Sequence, residues 1–416
     1  MTRGIPFTGA PGDDWRTRAA VVIPGGSSTG SRRPDALYGT RARDAAMPTH
    51  YERAAGCCLW TADGRRFIDC GMALGAVGIG YADPSVTRAV IDAASHGNVS
   101  TLPHRLEVEV AERLRHVVPC AEQVRFLRTG AEANAAAIRL ARALTQREHV
   151  VACGYFGWLD WCSDAAGVPP SVQRAVSWVP FNDVDALHAT VSALPAPPAA
   201  IILEPLIHEL ASVEWLSAAR RLADQSGAVL IFDEVKTAFR VRTGGVQALT
   251  GITPDLATLG KAMANGYPLA ALVGRVGVME QASRSWISST AATECTGLAA
   301  AKAMLDWHER VDVPERMATA GGLLQGIIGT ALAESPWVGV RAEGPPVMWR
   351  LVSDVPDQLD ALVAASVREG VLLKRGAYQF GAVAHEEPHL EYIAHVMPRI
   401  MEALLPGPRR VEESST

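Results

Sequence analysis

Asp233 and Lys261 stand 28 residues apart (261 minus 233) in settings that suit one shared chemistry. Asp233 closes the apolar run Ala228-Val-Leu-Ile-Phe232 and is followed by Glu234-Val-Lys-Thr-Ala-Phe-Arg240. Lys261 lies among small residues, in Pro254-Asp-Leu-Ala-Thr-Leu-Gly-Lys261-Ala-Met-Ala-Asn-Gly-Tyr267. A lysine amine condenses with an aldehyde to a Schiff base, yields its place to an incoming amine, and then carries a proton between carbons. A carboxylate within hydrogen-bond reach keeps a pyridine nitrogen protonated, because its charge favours the charged form of the partner. Together the two residues fit the two ends of pyridoxal phosphate (PLP), the aldehyde and the ring nitrogen. Each alone has a plainer reading. Asp233 would cap a turn at a strand end, and Lys261 would be a solvated surface lysine.

Such a pair needs a rigid frame. Four short apolar runs read as strands: Val124–Arg128, His149–Cys153, Ala200–Leu203 and Ala228–Phe232. Helical periods separate them, as in Glu132–Leu144 and Trp215–Gln225. Strands that are apolar throughout and alternate with helices predict an α/β fold with a parallel sheet buried on both faces. Ligands of such sheets gather beyond the carboxyl ends of the strands, where Asp233, Glu204 and Thr129-Gly130 fall. Ahead of this region, Cys58–Thr61 and Arg65–Asp69 read as the arms of a β-hairpin turning at Ala62-Asp63-Gly64. The first 20 or so residues and the last ten are polar and read as mobile ends.

The segments around Asp233 and Lys261 resemble the class III aminotransferases of the fold-type I PLP enzymes, a group that includes glutamate-1-semialdehyde aminomutases. The resemblance runs from about Pro24 to His389. It implies a large PLP-binding domain, residues 71–315, with a mostly parallel seven-stranded sheet. A smaller α+β domain is implied from residues 1–70 and 316–416. Lys261 and Asp233 become the catalytic pair.

Further positions follow by the same resemblance. Arg128-Thr-Gly130-Ala131-Glu132-Ala133 matches the phosphate cup, where backbone N–H groups at a helix start face an anion. Ala131 replaces the usual hydroxyl residue. In Gly154-Tyr155-Phe156-Gly157-Trp158, Tyr155 would stack on the pyridine ring, and Phe156, which stands where histidine is usual, would line the cofactor beside it. Val235 would cover the other face. Glu204, in Leu203-Glu204-Pro205, would line the cofactor site and orient polar substrate groups. Thr290, or Thr293 as its rival, would reach the phosphate of a neighbouring subunit's cofactor, which implies a homodimer with shared sites. Arg32, in Pro24-Gly-Gly-Ser-Ser-Thr-Gly-Ser-Arg32, falls where the aminomutases grip a substrate carboxylate, a task suited to a guanidinium fork. Trp158 joins Arg32 and Glu204 on the substrate side.

Composition narrows the partners. The 416 residues carry a net charge of -5, with 48% hydrophobic and 20% charged residues. That balance argues against a nucleic-acid binder. No apolar run approaches the roughly 18 residues of a membrane span, and the first residues lack the apolar core of a signal peptide. Seven cysteines without a CxxC pattern suggest reduced thiols and a cytoplasmic location.

Two motif matches fail on physical grounds. His385-Glu386-Glu-Pro388-His389 fits the zinc pattern HExxH, but Pro388 breaks the helical turn that would align the histidines. No metal is expected. Leu259-Gly260-Lys261 is no phosphate-binding P-loop, because Asp255 and Ala262 stand at its required glycine and hydroxyl positions.

The expected activity is transfer of an amino group from a small donor such as glutamate to a carbonyl acceptor. The wording of Gly154–Trp161, Phe181-Asn-Asp183 and Gly260–Leu269 looks most like members that act on oxidised sugars or aminocyclitols, including those of aminoglycoside antibiotic pathways. The alternative is an isomerase, either an aminomutase or an amino-sugar epimerase. A non-catalytic scaffold would have lost Lys261 or Asp233, and both are present.

Overall fold

The computed structural model describes residues 14–335 and 339–404. Chain contacts divide it into two units, one comprising Gly75–Thr319 and the other the residues up to Leu74 with those from Ala320 onward.

The larger unit is built on a seven-stranded sheet. Its strands are β1 (Gln123–Leu127), β2 (Val150–Cys153), β3 (Val176–Trp178), β4 (Ala200–Leu203), β5 (Val229–Asp233), β6 (Leu256–Leu259) and β7 (Ala270–Gly274). The spatial order is β1-β7-β6-β5-β4-β2-β3. Neighbours from β6 to β3 are parallel. β7 runs antiparallel to both β1 and β6. This is the mostly parallel seven-stranded α/β sheet that the sequence resemblance implies. The sequence reading has no strand at β3, β6 or β7. Their runs are short, and β6 and β7 include Ala257, Ala270, Ala271 and Gly274, residues of low strand propensity. Neighbouring strands hold them in the sheet.

Alternation along the strands sorts the core into two layers. Ile202, Val229 and Ile231 pack with Ala133, Ala137, Leu140 and Ala141 of helix α1 (Gly130–Thr145). Ile201, Leu203, Leu230 and Phe232 pack with Trp215, Leu216 and Ala219 of helix α2 (Val213–Ser226). Each fully buried Leu or Ile contributes roughly 1.5–3 kcal/mol through its removal from water. The same parity turns Asp233, two residues beyond Ile231, toward the α1 layer.

In the smaller unit the predicted hairpin is present. Cys58–Trp60 pairs antiparallel with Arg66–Asp69, with Leu59 opposite Phe67. The chain start departs from the mobile end expected. Trp15–Val22 is helical, with Asp14 accepting from Arg16 N–H at 3.1 Å. Arg16 is tied down by bonds to Ala42 O at 2.7 Å and Met47 O at 2.6 Å. Residues 1–13 and the C-terminal Val-Glu-Glu-Ser-Ser-Thr lie outside the described residues. Among the described residues no helix is long and apolar enough to cross a membrane.

Candidate active site

Four parallel strands, β2, β4, β5 and β6, deliver polar groups at their carboxyl ends: the Gly154-Tyr155 loop, Glu204, Asp233 and Lys261. Register explains the first contact. Asp233 lies opposite Thr258 across β5 and β6, and Asn134 of α1 reaches down from the layer that Asp233 faces. Asn134 Nδ2 donates to Asp233 Oδ2 at 2.8 Å. Thr258 Oγ1 donates to Asn134 Oδ1 at 2.7 Å, which fixes the amide. The Val235 N–H donates to Asp233 Oδ1 at 2.9 Å. Asp233 is only 4% exposed. Burial, and after it the negative charge of Glu204, push its carboxyl up to about 7, against the bonds from Val235 and Asn134 and the charge of Lys236. A cationic ring nitrogen is the partner such a carboxylate lacks.

Lys261 begins a 3-10 turn (Lys261–Ala264) directly after β6 and has φ +49°. For a side chain with a Cβ this left-handed conformation costs roughly 1–2 kcal/mol. The surrounding packing enforces it: Ala262, Met263 and Ala264 are buried. Burial and the neighbouring Lys236 charge pull its amine down to about 8, while Asp233 and Glu204 oppose them. Near pH 8 about half of it is therefore a free, nucleophilic amine.

The phosphate-side turn has its own local logic. Thr129 caps α1 in a capping box with Glu132, whose Oε2 accepts from Thr129 N–H at 3.0 Å. Thr129 Oγ1 takes the Glu132 N–H at 3.2 Å and Thr129 O takes that of Ala133 at 3.0 Å. Gly130 and Ala131 then supply the remaining N–H groups of the first turn, where an anion is favoured. Any side chain on Gly130 would meet Val235 Cγ1 and Cγ2 at 2.9 Å, so this glycine lets the turn approach Val235. A Cβ on Gly260 would also face Val235, at 3.4 Å. Val235 thus sits between the Gly130 turn and the lysine turn. The Ala131 departure has a packing cause. Gly157, at φ +104°, lies so close that a Cβ there would be 2.4 Å from the Ala131 Cβ.

The remaining sequence-selected residues divide. Glu204 is 3% exposed, its Oε2 accepting from Tyr155 N–H at 2.9 Å. Tyr155 and Trp158 are 71% and 75% exposed. Phe156 is buried and stacks on Trp178, with Trp161 tilted against it. Its ring belongs to the core, and it touches the site through its carbonyl, which accepts from Asn134 Nδ2 at 3.4 Å. Thr290 is exposed and Thr293 half-buried. Their loop ends at Glu294, which caps the next helix and pairs with Arg128 at 2.5 Å. Arg32 lies in the smaller unit, on the turn Gly30–Arg32, beside a Ser31 carbonyl that accepts from Lys374 Nζ.

Three residues and one ion pair escaped sequence reading: Asn134, Thr258, Lys236 and the Arg128–Glu294 pair. Asn134 left a signal, a lone amide in the Ala-rich face of α1. Lys236 Nζ lies 2.6 Å from Glu204 Oε1, a contact between the segments that follow β4 and β5, which spacing alone does not reveal. His385 precedes the helix Glu387–Leu404 and His389 lies in its first turn, with Pro388 starting the helix rather than breaking it, so the two histidines of the HExxH match do not lie on one helix. Among the described residues the one metal-ligand group is Cys57, Cys58 and His389, one short of the four ligands of a structural zinc.

The residues fit PLP: a buried carboxylate, a low-pKa lysine, a helix start offering N–H groups and a branched side chain between them. Comparisons with known proteins agree. The family model for class-III aminotransferases matches residues 40–383. A 3-aminobutyryl-CoA aminotransferase of Cloacimonas acidaminovorans (strain Evry) is 34% identical over 79% of this chain and 80% of its own. A 2'-deamino-2'-hydroxyneamine transaminase of Streptomyces kanamyceticus is 33% identical over 91% of this chain and 95% of its own. Among solved structures, the PLP-containing FumI protein of Sphingopyxis sp. MTA144 superposes with a TM-score of 0.88, at 28% identity over 94% of this chain and 95% of that one.

Proposed function

The chain belongs to the class III aminotransferases, enzymes that use PLP, and from that premise we propose that its acceptor is an oxidised sugar or aminocyclitol of the kind found in aminoglycoside assembly. The observation that carries this reading is the similarity to the 2'-deamino-2'-hydroxyneamine transaminase, which spans 91% of this chain. The similarity to the 3-aminobutyryl-CoA aminotransferase covers less, 79%.

In this reading PLP, when bound, supplies the carbonyl that accepts the donor's amine and the ring that draws electrons from the substrate. Lys261 holds the cofactor and moves the proton at the substrate carbon. Asp233, fixed by Asn134 and Val235 N–H, keeps the ring nitrogen charged. Tyr155 and Val235 cover the two ring faces, and Gly130 and Ala131 offer N–H groups to the phosphate. Thr290 serves the cofactor of a second copy in a homodimer, for which its exposure leaves it available. Arg32, Trp158 and Glu204 face substrate. A cytoplasmic location is part of the reading, supported by seven free cysteines.

The test is a half-reaction on purified holoenzyme, adding single amines (glutamate, glutamine, alanine, then amino sugars and aminocyclitols) and following the cofactor's absorbance and the keto product. Stoichiometric keto product from an amino sugar or aminocyclitol supports the reading. Conversion with 3-amino acyl thioesters alone would overturn the acceptor class. An amino sugar isomerised with no keto product released would make the enzyme an isomerase. Lys261→Ala with full turnover would remove Lys261 from its role.

A further inference from the structure

Lys236 brings a second ammonium group into the site, and none of the roles above uses it. Its Nζ pairs with Glu204 Oε1 at 2.6 Å, with side chains 14% and 3% exposed. The glutamate cannot turn away. Its other oxygen holds the Tyr155 N–H at 2.9 Å. Its Cβ and Cγ lie so close to Gly154 that a side chain there would collide at 2.6–2.9 Å. A carboxylate fixed in this way is a second negative charge beside Asp233. Burying an ion pair carries a desolvation cost that structure alone seldom offsets, so its presence beside the reacting groups points to a charge-setting task.

The charges around the two reacting groups can be named. Lys261 is faced by Lys236 and Arg240, which act against its protonation, and by Asp233 and Glu204, which favour it. Asp233 is faced by Glu204, which favours its protonation, and by Lys236, Asn134 and the Val235 N–H, which oppose it. Thr258 lies 3.4 Å from it, and the half-buried Cys162 thiol also feels its charge. Lys236 and Glu204 thus act with opposite signs on both groups.

We propose that Lys236 is a positioning residue that clamps Glu204 to the Tyr155 loop and cancels its charge, so that Asp233 presents the one uncompensated negative charge to the cofactor's ring nitrogen. The proposal rests on the assignment of Lys261 and Asp233 to the cofactor.

Five holoenzymes test it: wild type, Lys236→Met, Lys236→Arg, Glu204→Gln and the Lys236→Met/Glu204→Gln double variant. The readouts are the pH midpoint of the visible absorbance of the Lys261-linked cofactor and the Kd of the apoenzyme for PLP. Losing one charge that acts on Lys261 moves its midpoint by about one pH unit, tenfold in proton concentration. Lys236→Met raises the midpoint by that amount and weakens PLP binding about tenfold at pH 7. Glu204→Gln lowers the midpoint, the double variant returns it toward wild type, and Lys236→Arg leaves it in place. An unmoved midpoint in Lys236→Met, or a double variant shifted as far as Lys236→Met, overturns the proposal. A wild-type protein with no visible band, or a Lys261→Ala variant that keeps it, instead overturns the assignment of Lys261, and the proposal falls with it.

Discussion

Replacing Asn134 by alanine tests how Asp233 is kept charged. The amide donates to Asp233 Oδ2 at 2.8 Å inside a buried site. A hydrogen bond to a charged group contributes about 1.5–3 kcal/mol. At 1.36 kcal/mol per unit this raises the Asp233 carboxyl by about one to two units. The wild-type carboxyl stands at about 7, so at pH 7.5 its ionised fraction falls from roughly three quarters to about a tenth. Thr258 loses its acceptor on Asn134 and is left 3.4 Å from Asp233 Oδ1, too long to compensate. The Kd of the apoenzyme for PLP, read by fluorescence quenching, therefore rises about tenfold at pH 7.5. The gap closes by about pH 10, where Asp233 is ionised in both proteins. An equal loss of affinity at pH 7.5 and pH 10 would mean that Asn134 only fills space. No loss at either pH would mean that Asp233 does not hold the ring nitrogen.

Other perturbations have equally direct signs. The folded-state carboxyl of Asp233 lies above its ordinary value of 3.8, at about 7, so its contribution to apoenzyme stability is full below pH 4 and lost as pH rises through 7. Apo Asp233→Asn should accordingly melt higher than apo wild type at pH 8 and equally at pH 4, as differential scanning calorimetry would show. Gly130→Ala drives a methyl to 2.9 Å from Val235 and should weaken PLP binding about tenfold or more, equivalent to the roughly 1–3 kcal/mol of overpacking. A second change, Val235→Ala, should recover part of that loss, and failure to do so would separate the turn from Val235. Arg128→Met removes the partner of the buried Glu294 and should lower stability by about 1–3 kcal/mol in urea unfolding, with the deficit shrinking when Glu294→Gln is added.

The frame of this site was legible because it rests on local patterns. Ala200–Leu203 is apolar at every position, so it reads as a strand buried on both faces, and it is one. Asp233 was legible because the apolar run Ala228–Phe232 stops at it, and Lys261 because it stands among small residues 28 positions further on. Lys236 and Asn134 were not, for a geometric reason. Lys236 meets Glu204 only because β4 and β5 are neighbours, and Asn134 meets Asp233 only because α1 covers one face of β5. Strands β6 and β7 were missed because alanine and glycine carry little strand propensity of their own, and their neighbours hold them in place. Phe156 shows the reverse limit. Its position in a motif suggested the cofactor, whereas Trp161 and Trp178 claim its ring for the core.

The antiparallel strand β7 supplies no reactive group, yet it sets a length. It lies between β1, which leads to Gly130, and β6, which leads to Lys261, with Ala270 opposite Leu127 and Ala271 opposite Leu259. The phosphate turn and the lysine turn are therefore separated by two inter-strand spacings, roughly 10 Å, and that gauge is laid down by main-chain hydrogen bonds. Side-chain changes along Ala270–Gly274 that preserve volume leave the gauge intact. A one-residue insertion there shifts the register of both neighbours and turns each β7 side chain to the opposite face. A strand with no chemistry of its own is thus the calibration of the site, and tolerance to substitution together with intolerance to insertion is the signature that calibration would leave.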